Sequence, residues 1–254
     1  MSKTIEVTFT PADFNALADR DLSGTVCVVL DILRATTSMV TALANGARAV
    51  IPVATIEEAV AIRKECPEVL LAGERDGVRI LAAQSGGVDF DLGNSPREYT
   101  EEVVTGKTIV STTTNGTRAL RACVGAQKVL VASMLNLRTT VNWIEETEVE
   151  NLIVVCAGTE EEAAYEDMIG AGALCEMLWP GFVTGHVADS AEMARQIYRV
   201  MQRDLKSSMQ HSRNARRLMT IPDLAEDVHF CMQRETLTIL AGLNEAGEVT
   251  RMEG

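Results

Sequence analysis

The sequence predicts a layered α/β/α protein built on a largely parallel or mixed sheet, and three observations carry that prediction. Short apolar runs rich in β-branched residues alternate with helix-like segments along most of the chain, the pattern of βαβ units. The runs lack polar alternation, as strands buried on both faces do. Two segments, TALANGARAVIPVAT and RALRACVGAQKVLVAS, share the order helix, Gly-Ala, strand, small hydroxyl residue, each behind a threonine-rich turn, which favours an internal duplication of βαβ units.

The first strong strand, TVCVVL at 25–30, ends at Asp31. ILRATTSMVTALANG then reads as a turn into a helix with Met39, Val40, Leu43 and Ala44 on its apolar face and Gly46 as its stop. A strand at 49–53 follows, and Thr55 with Glu58 forms a capping box for the helix IEEAVAIRKEC, which Pro67 ends. A strand at 69–72 runs into Gly73-Glu74-Arg75-Asp76-Gly77, which reads as a polar, glycine-bounded loop. Residues 78–96 show no clean period, and a loop of that length in a compact domain is usually functional. Next come a strand at 108–110, the turn STTTNGT, a helix from Thr117, and a strand at 128–132. NLIVVCAGT supplies another strand-to-helix junction before the helix MIGAGALCEML, and beyond Trp179-Pro180-Gly181 the chain reads as mostly helical. The whole reads as a single catalytic unit over 1–254, with the polar helix at 136–150 the best candidate for a subdomain seam.

With 254 residues, 46% of them hydrophobic, the chain must bury a substantial core. Its 23 Lys and Arg against 36 Asp and Glu give a net charge of −13, a field that repels phosphate backbones and anionic membranes, so neither is an expected partner. Six scattered cysteines without a Cys-x-x-Cys pair read as small buried hydrophobes. The N-terminal segment lacks a signal-peptide pattern and no run approaches the ~20 apolar residues of a membrane span, so a cytoplasmic protein is expected. A homodimer is expected only on the general habit of metabolic enzymes.

Three strand ends deliver the chemistry-bearing residues: Asp31 with Arg34, Thr36 and Thr37; the run 111–117; and Cys156-Ala157-Gly158-Thr159. N–H groups and hydroxyls where strands feed helices make an anion site, although the same threonines serve equally as helix caps. Arg34 is placed to pair with oxyanion oxygens. A carboxylate such as Asp31 at the end of a doubly buried strand is costly unless a cation compensates it, so its partner is a metal or Arg34. Glu74, with Arg75 beside it, has the same placement. Glu166 and Asp167 open an apolar helix, and Asp167 should point inward, whereas Glu160, Glu161 and Glu162 read as a solvated face. P-loop, dinucleotide-binding and His-Glu-x-x-His signatures are missing.

The segments VVLDILRATTSMVTAL, AGERDG, FDLGNSPREY, STTTNGTRAL, CAGT followed by YEDMIGAGAL, and AEDVHFC together resemble the ComB family of 2-phosphosulfolactate phosphatases, from Val28 to Cys231. The resemblance implies that family's α/β fold and a Mg2+-dependent acid phosphatase that converts 2-phospho-3-sulfolactate into 3-sulfolactate and phosphate, a step towards coenzyme M. Carried over by motif, it implies catalytic roles for Asp31, Arg34 and Cys156. Substrate contacts would come from Thr36, Thr37, Arg75, Asn94, Ser95, Thr113, Thr114, Asn115, Gly116 and Gly158, with Gly93 and Asp227 also in family motifs. Asp31, Glu74, Glu166 and Asp167 become candidate metal ligands, and Arg75 or Arg97 the partner of the sulfonate or carboxylate. The loop between Gly77 and Phe90 and the segment after Cys231 depart from the family pattern, which leaves open another small phospho-acid as substrate, or a non-catalytic anion-binding protein on the same scaffold.

Overall fold

The computed structural model describes residues 2–253. Its strands are β1 (Thr4–Thr8), β2 (Val26–Leu30), β3 (Ala49–Pro52), β4 (Leu70–Arg75), β5 (Val78–Arg79), β6 (Thr108–Thr112), β7 (Lys128–Ala132), β8 (Asn151–Cys156), β9 (His186–Val187), β10 (Leu240–Leu243) and β11 (Val249–Met252). They form one mixed sheet in the order β5-β4-β6-β3-β11-β10-β7-β2-β8-β1-β9. Two parallel blocks, β4-β6-β3 and β7-β2-β8-β1-β9, are joined by the antiparallel hairpin β10/β11. The layered α/β/α architecture is thus present, with helices and core clusters on both faces.

β2 shows why the apolar runs lack alternation. Val26, Val28 and Leu30 enter the core on one face, while Cys27 and Val29 enter the core on the other. The two similar segments also hold equivalent places. β2 and the helix Ala35–Ala44 lead to β3 in the opposite block, and β6 and the helix Gly116–Ala122 lead back to β7, so that β6-β3 and β7-β2 flank the central hairpin symmetrically.

The helix Ala35–Ala44 is buried from Ala35 through Leu43, not on one stripe alone. Its polar side chains bond inward: Thr37 Oγ1 donates to the Ile32 carbonyl (2.9 Å), Thr41 Oγ1 to the Thr37 carbonyl (2.7 Å) and Ser38 Oγ to the Asn94 carbonyl (2.8 Å). Residues 136–150 hold the helix Leu137–Glu146, whose Leu137, Val141 and Ile144 join the core between β7 and β8.

Several expectations are corrected. Residues 73–77 are not a loop: β4 continues to Arg75 and pairs antiparallel with β5 across an Asp76-Gly77 turn, both residues having positive φ (58° and 79°), as a two-residue hairpin requires. Residues 78–96 contain β5 and the short helix Ala82–Ser85, with Ile80 and Phe90 buried. The carboxyl-terminal part is not purely helical, since β9, β10 and β11 lie there, and β1 precedes the first strand expected. Pro180 and Gly181 belong to the last turn of the helix Tyr165–Phe182. Among the described residues, no helix is long and apolar enough to cross a membrane.

Candidate active site

β2 and β6 are separated by four strands in the sheet, yet the helices that follow them start side by side. A Cβ at Gly116 would lie 2.6 Å from Ala35 Cβ, 2.8 Å from Asp31 Oδ2 and 3.3 Å from Thr113 Oγ1. Only glycine leaves this space open. Here, at the carboxyl ends of the parallel strands, a cleft of about 730 Å³, including its solvent-open part, is lined by Asp31, Glu74, Asn94, Thr113, Asn115 and Gly158 among others.

Asp31 is buried, and its Oδ1 accepts a hydrogen bond from the Ala35 N–H (3.0 Å). Burial pushes its carboxyl up to about 7; the charges of Glu74 and Glu166 add to the rise, while the Ala35 N–H and Arg34 oppose it. Arg34 does not pair with Asp31. Its guanidinium donates to Asp227 Oδ2 (2.7 Å) and to the Gly77 carbonyl. Asp227 also accepts from Ser95 Oγ (2.6 Å), so Ser95 faces this ion pair and is not among the residues lining the cleft.

Glu74 shapes the cleft wall. Its Oε1 accepts from the Thr114 N–H (3.1 Å) and hydroxyl (2.9 Å), and its Oε2 accepts from the Gly77 N–H (2.8 Å). Asn115 Nδ2 donates to the carbonyls of Ala157 (3.1 Å) and Glu160 (3.0 Å), tying the β6 and β8 ends together. Asn115 Oδ1 and Thr113 Oγ1 are buried and, among the described residues, have no hydrogen-bond partner. Buried polar atoms rarely stay unpaired, which marks these two for a ligand.

Other sequence-derived candidates lie behind this surface. Thr36 and Thr37 are wholly buried, with their hydroxyls on the carbonyls of Asp31 and Ile32, so they brace the β2 turn. Arg75 follows Glu74 on the strand and therefore faces the other way, onto Thr112. Asp167 braces the β2 and β8 ends through the N–H groups of Ile32 (2.8 Å) and Gly158 (3.1 Å). Burial, then the charges of Asp31 and Glu166, hold its carboxyl well above the usual range. Both oxygens of buried Glu166 are occupied, by Ser212 Oγ and Asn214 Nδ2 (2.7 Å each). Glu160, Glu161 and Glu162 are exposed in the turn before the helix, not on a helical face.

Cys156 belongs to the core, and burial raises its thiol well above the ordinary value. It remains a thiol at neutral pH, outside the residues that line the cleft. Cys156→Ser is accordingly expected to retain wild-type-like turnover with a lowered Tm, because a hydroxyl replaces the thiol in an apolar site. Parallel activity and thermal melts check this, and an inactive, folded variant would return the thiol to the chemistry.

Asn214, Arg217 and Leu218, on the helix Arg213–Met219, line the cleft but were not singled out in the sequence. The one available signal was the arginine cluster in SRNARRLM.

Carboxylate, amide and hydroxyl oxygens gathered where two helices start define an α/β enzyme site for a small polar ligand. A sequence model of the 2-phosphosulpholactate phosphatase family matches residues 13–246. The probable 2-phosphosulfolactate phosphatase of Caldanaerobacter subterraneus subsp. tengcongensis is 38% identical over 233 residues, covering 91% of this chain and 92% of the relative. That of Symbiobacterium thermophilum is 38% identical over 235 residues (92% and 97%), and that of Thermotoga petrophila 41% over 204 residues (80% and 82%). The chain belongs to the 2-phosphosulpholactate phosphatase family and is an enzyme of the phosphoric monoester hydrolase class.

Proposed function

We propose that the enzyme hydrolyses 2-phospho-3-sulfolactate to 3-sulfolactate and phosphate with Mg2+ as cofactor, a reaction on the route to coenzyme M in a host that makes it. The observation that carries this reading is a set of oxygens in one cleft: Asp31 Oδ2 and the buried, unpartnered Thr113 Oγ1 beside the open space at Gly116, with the buried, unpartnered Oδ1 of cleft-lining Asn115. Magnesium takes hard oxygen ligands, needs only one or two protein carboxylates and keeps several waters, so this donor set fits it. Among the described residues, no three His, Cys, Asp or Glu side chains come together to hold a metal ion, so the proposed shell has one carboxylate, Asp31, and would be completed by water and phosphate. Asp31, Thr113 and Asn115 would hold the ion, which when bound supplies Lewis-acid stabilisation of charge on the phosphoryl oxygens.

Charge supports the same reading. Two arginines and four carboxylates line the cleft, and one arginine, Arg34, is already neutralised by Asp227. A ligand with phosphate, carboxylate and sulfonate groups therefore requires added positive charge. The chain contributes the start of the helix Ala35–Ala44, whose positive end favours an anion. Glu74 fixes the Thr114 turn and the Asp76-Gly77 turn that frame the bound group.

Protein treated with EDTA is expected to release no phosphate from 2-phospho-3-sulfolactate until Mg2+ is restored. Apparent Mg2+ affinity should rise with pH from about one unit below to about one unit above 7, because the ligating form of Asp31 is the carboxylate. The sign for stability is opposite in the metal-free enzyme. A folded-state value raised to about 7 makes the Asp31 contribution full below its unfolded value and lost as pH rises through 7. Phosphate release that persists in EDTA removes the magnesium role, and failure to turn over this ester with Mg2+ removes the substrate.

A further inference from the structure

We infer that Arg217 recognises the second anionic group of the substrate, a carboxylate or sulfonate carried next to the phosphoester; this assignment rests on the phosphoester reading above. Arginines near the cleft are in different states. Arg34 is locked into an ion pair whose side chains are 2% and 0% exposed, and its other amino group holds the Gly77 carbonyl. Arg75 is turned onto Thr112. Arg97 reaches the far side of Asp227 and the Asp223 carbonyl. Arg213 is spent on Glu162 and the Thr159 carbonyl.

Arg217 differs. It lines the cleft, and its Nη2 donates to the Asp76 carbonyl (2.8 Å) and Oδ1 (3.3 Å). These side chains are 46% and 88% exposed, so the pair is weak and its carboxylate is easily replaced by an incoming anion. Among the described residues, Nε and Nη1 have no protein acceptor, and displacement of the exposed Asp76 carboxylate frees an N–H of Nη2 to complete a two-donor edge for bidentate contact with a carboxylate or sulfonate.

The helix that carries Arg217 is held in place from below. Buried Glu166 accepts from Ser212 Oγ and Asn214 Nδ2, and Arg213 ties the same helix to the 159–162 turn. The guanidinium therefore projects from an anchored element beside the turn that Glu74 fixes. This gives Glu166 a role that its buried charge otherwise lacks, as the anchor of the specificity helix.

The test is calorimetric titration of the full-length Mg2+-loaded protein with 3-sulfolactate, lactate and 2-hydroxyethanesulfonate, for wild type, Arg217→Ala, Arg217→Lys and Asp76→Asn. Wild type is expected to bind 3-sulfolactate, and Arg217→Ala to weaken it about 10- to 100-fold, the range for a charged hydrogen-bonded contact. Arg217→Lys should fall between, keeping the charge without the fork. Asp76→Asn should tighten binding, because it removes the competing carboxylate and asparagine tolerates the positive φ. Whichever of lactate or 2-hydroxyethanesulfonate loses more affinity in Arg217→Ala identifies the group held. Equal binding by wild type and Arg217→Ala, or no binding by wild type, overturns the assignment. Phosphate release is read separately, so an Arg217-dependent binder without turnover overturns the phosphatase reading and not this one.

Discussion

Asp31→Asn is expected to lower kcat/KM by about a thousandfold or more, the scale of losing the ion whose charge would stabilise the reacting phosphoryl group, since Asp31 is the one carboxylate proposed to hold it. The fold should persist. An asparagine Oδ1 can accept the same hydrogen bond from the Ala35 N–H, and the turn remains braced by Thr36 and Asp167. The neutral amide also resembles the protonated carboxyl that burial favours, so above pH 7 the metal-free variant should melt no lower than the metal-free wild type, and higher if the buried charge is the dominant cost. Mg2+ should then raise the Tm of wild type and leave that of the variant nearly unchanged. Steady-state kinetics with melts at two metal concentrations check both parts. Near-normal turnover would remove Asp31 from the mechanism.

What made Asp31 legible was local: five buried residues of β2 followed by an acid, a juxtaposition that desolvation makes expensive. The strand ends were legible for the same reason, since doubly buried runs have a definite stop. Their partners were not. Arg34 meets Asp227, 193 positions away, and Asp167 meets the Ile32 N–H, 135 positions away. Neither distance leaves a periodic trace. Proximity in sequence instead suggested Arg34 as the partner of Asp31, and adjacency in the chain suggested Arg75 as a companion of Glu74, although successive strand residues face opposite ways.

The missed elements have their own reasons. The β10 segment LAGL has few β-branched or aromatic residues and becomes a strand because it fills the space between two parallel blocks. The Asp-Gly in GERDGV was a hairpin signal masked by its polar flanks. The apolar stripe expected on the helix Ala35–Ala44 understated its burial, because its hydroxyls satisfy themselves on backbone carbonyls and so enter the core without orphan groups.

Asp227→Ala should cost about 3–5 kcal/mol of stability, the price of leaving a buried charge without its partner. Arg34 and Asp227 have side chains 2% and 0% exposed, so water cannot replace the lost carboxylate. Arg34→Met should cost less, since Asp227 keeps Ser95 Oγ and the half-exposed Arg97 lies 3.5 Å away. The double variant Arg34→Met with Asp227→Leu should recover much of the loss, because it removes both desolvated charges and refills the volume. Urea denaturation of wild type, Arg34→Met, Asp227→Leu and the double variant closes the cycle and gives the coupling, and a value below about 0.5 kcal/mol would mean that the two groups do not act as a unit. Activity should fall in Asp227→Ala even where the protein remains folded. Arg34 also holds the Gly77 carbonyl, and Gly77 with Asp76 lines the cleft, so loosening the guanidinium shifts the wall on which Arg217 rests. A buried ion pair at the cleft wall thereby sets the geometry of the cleft.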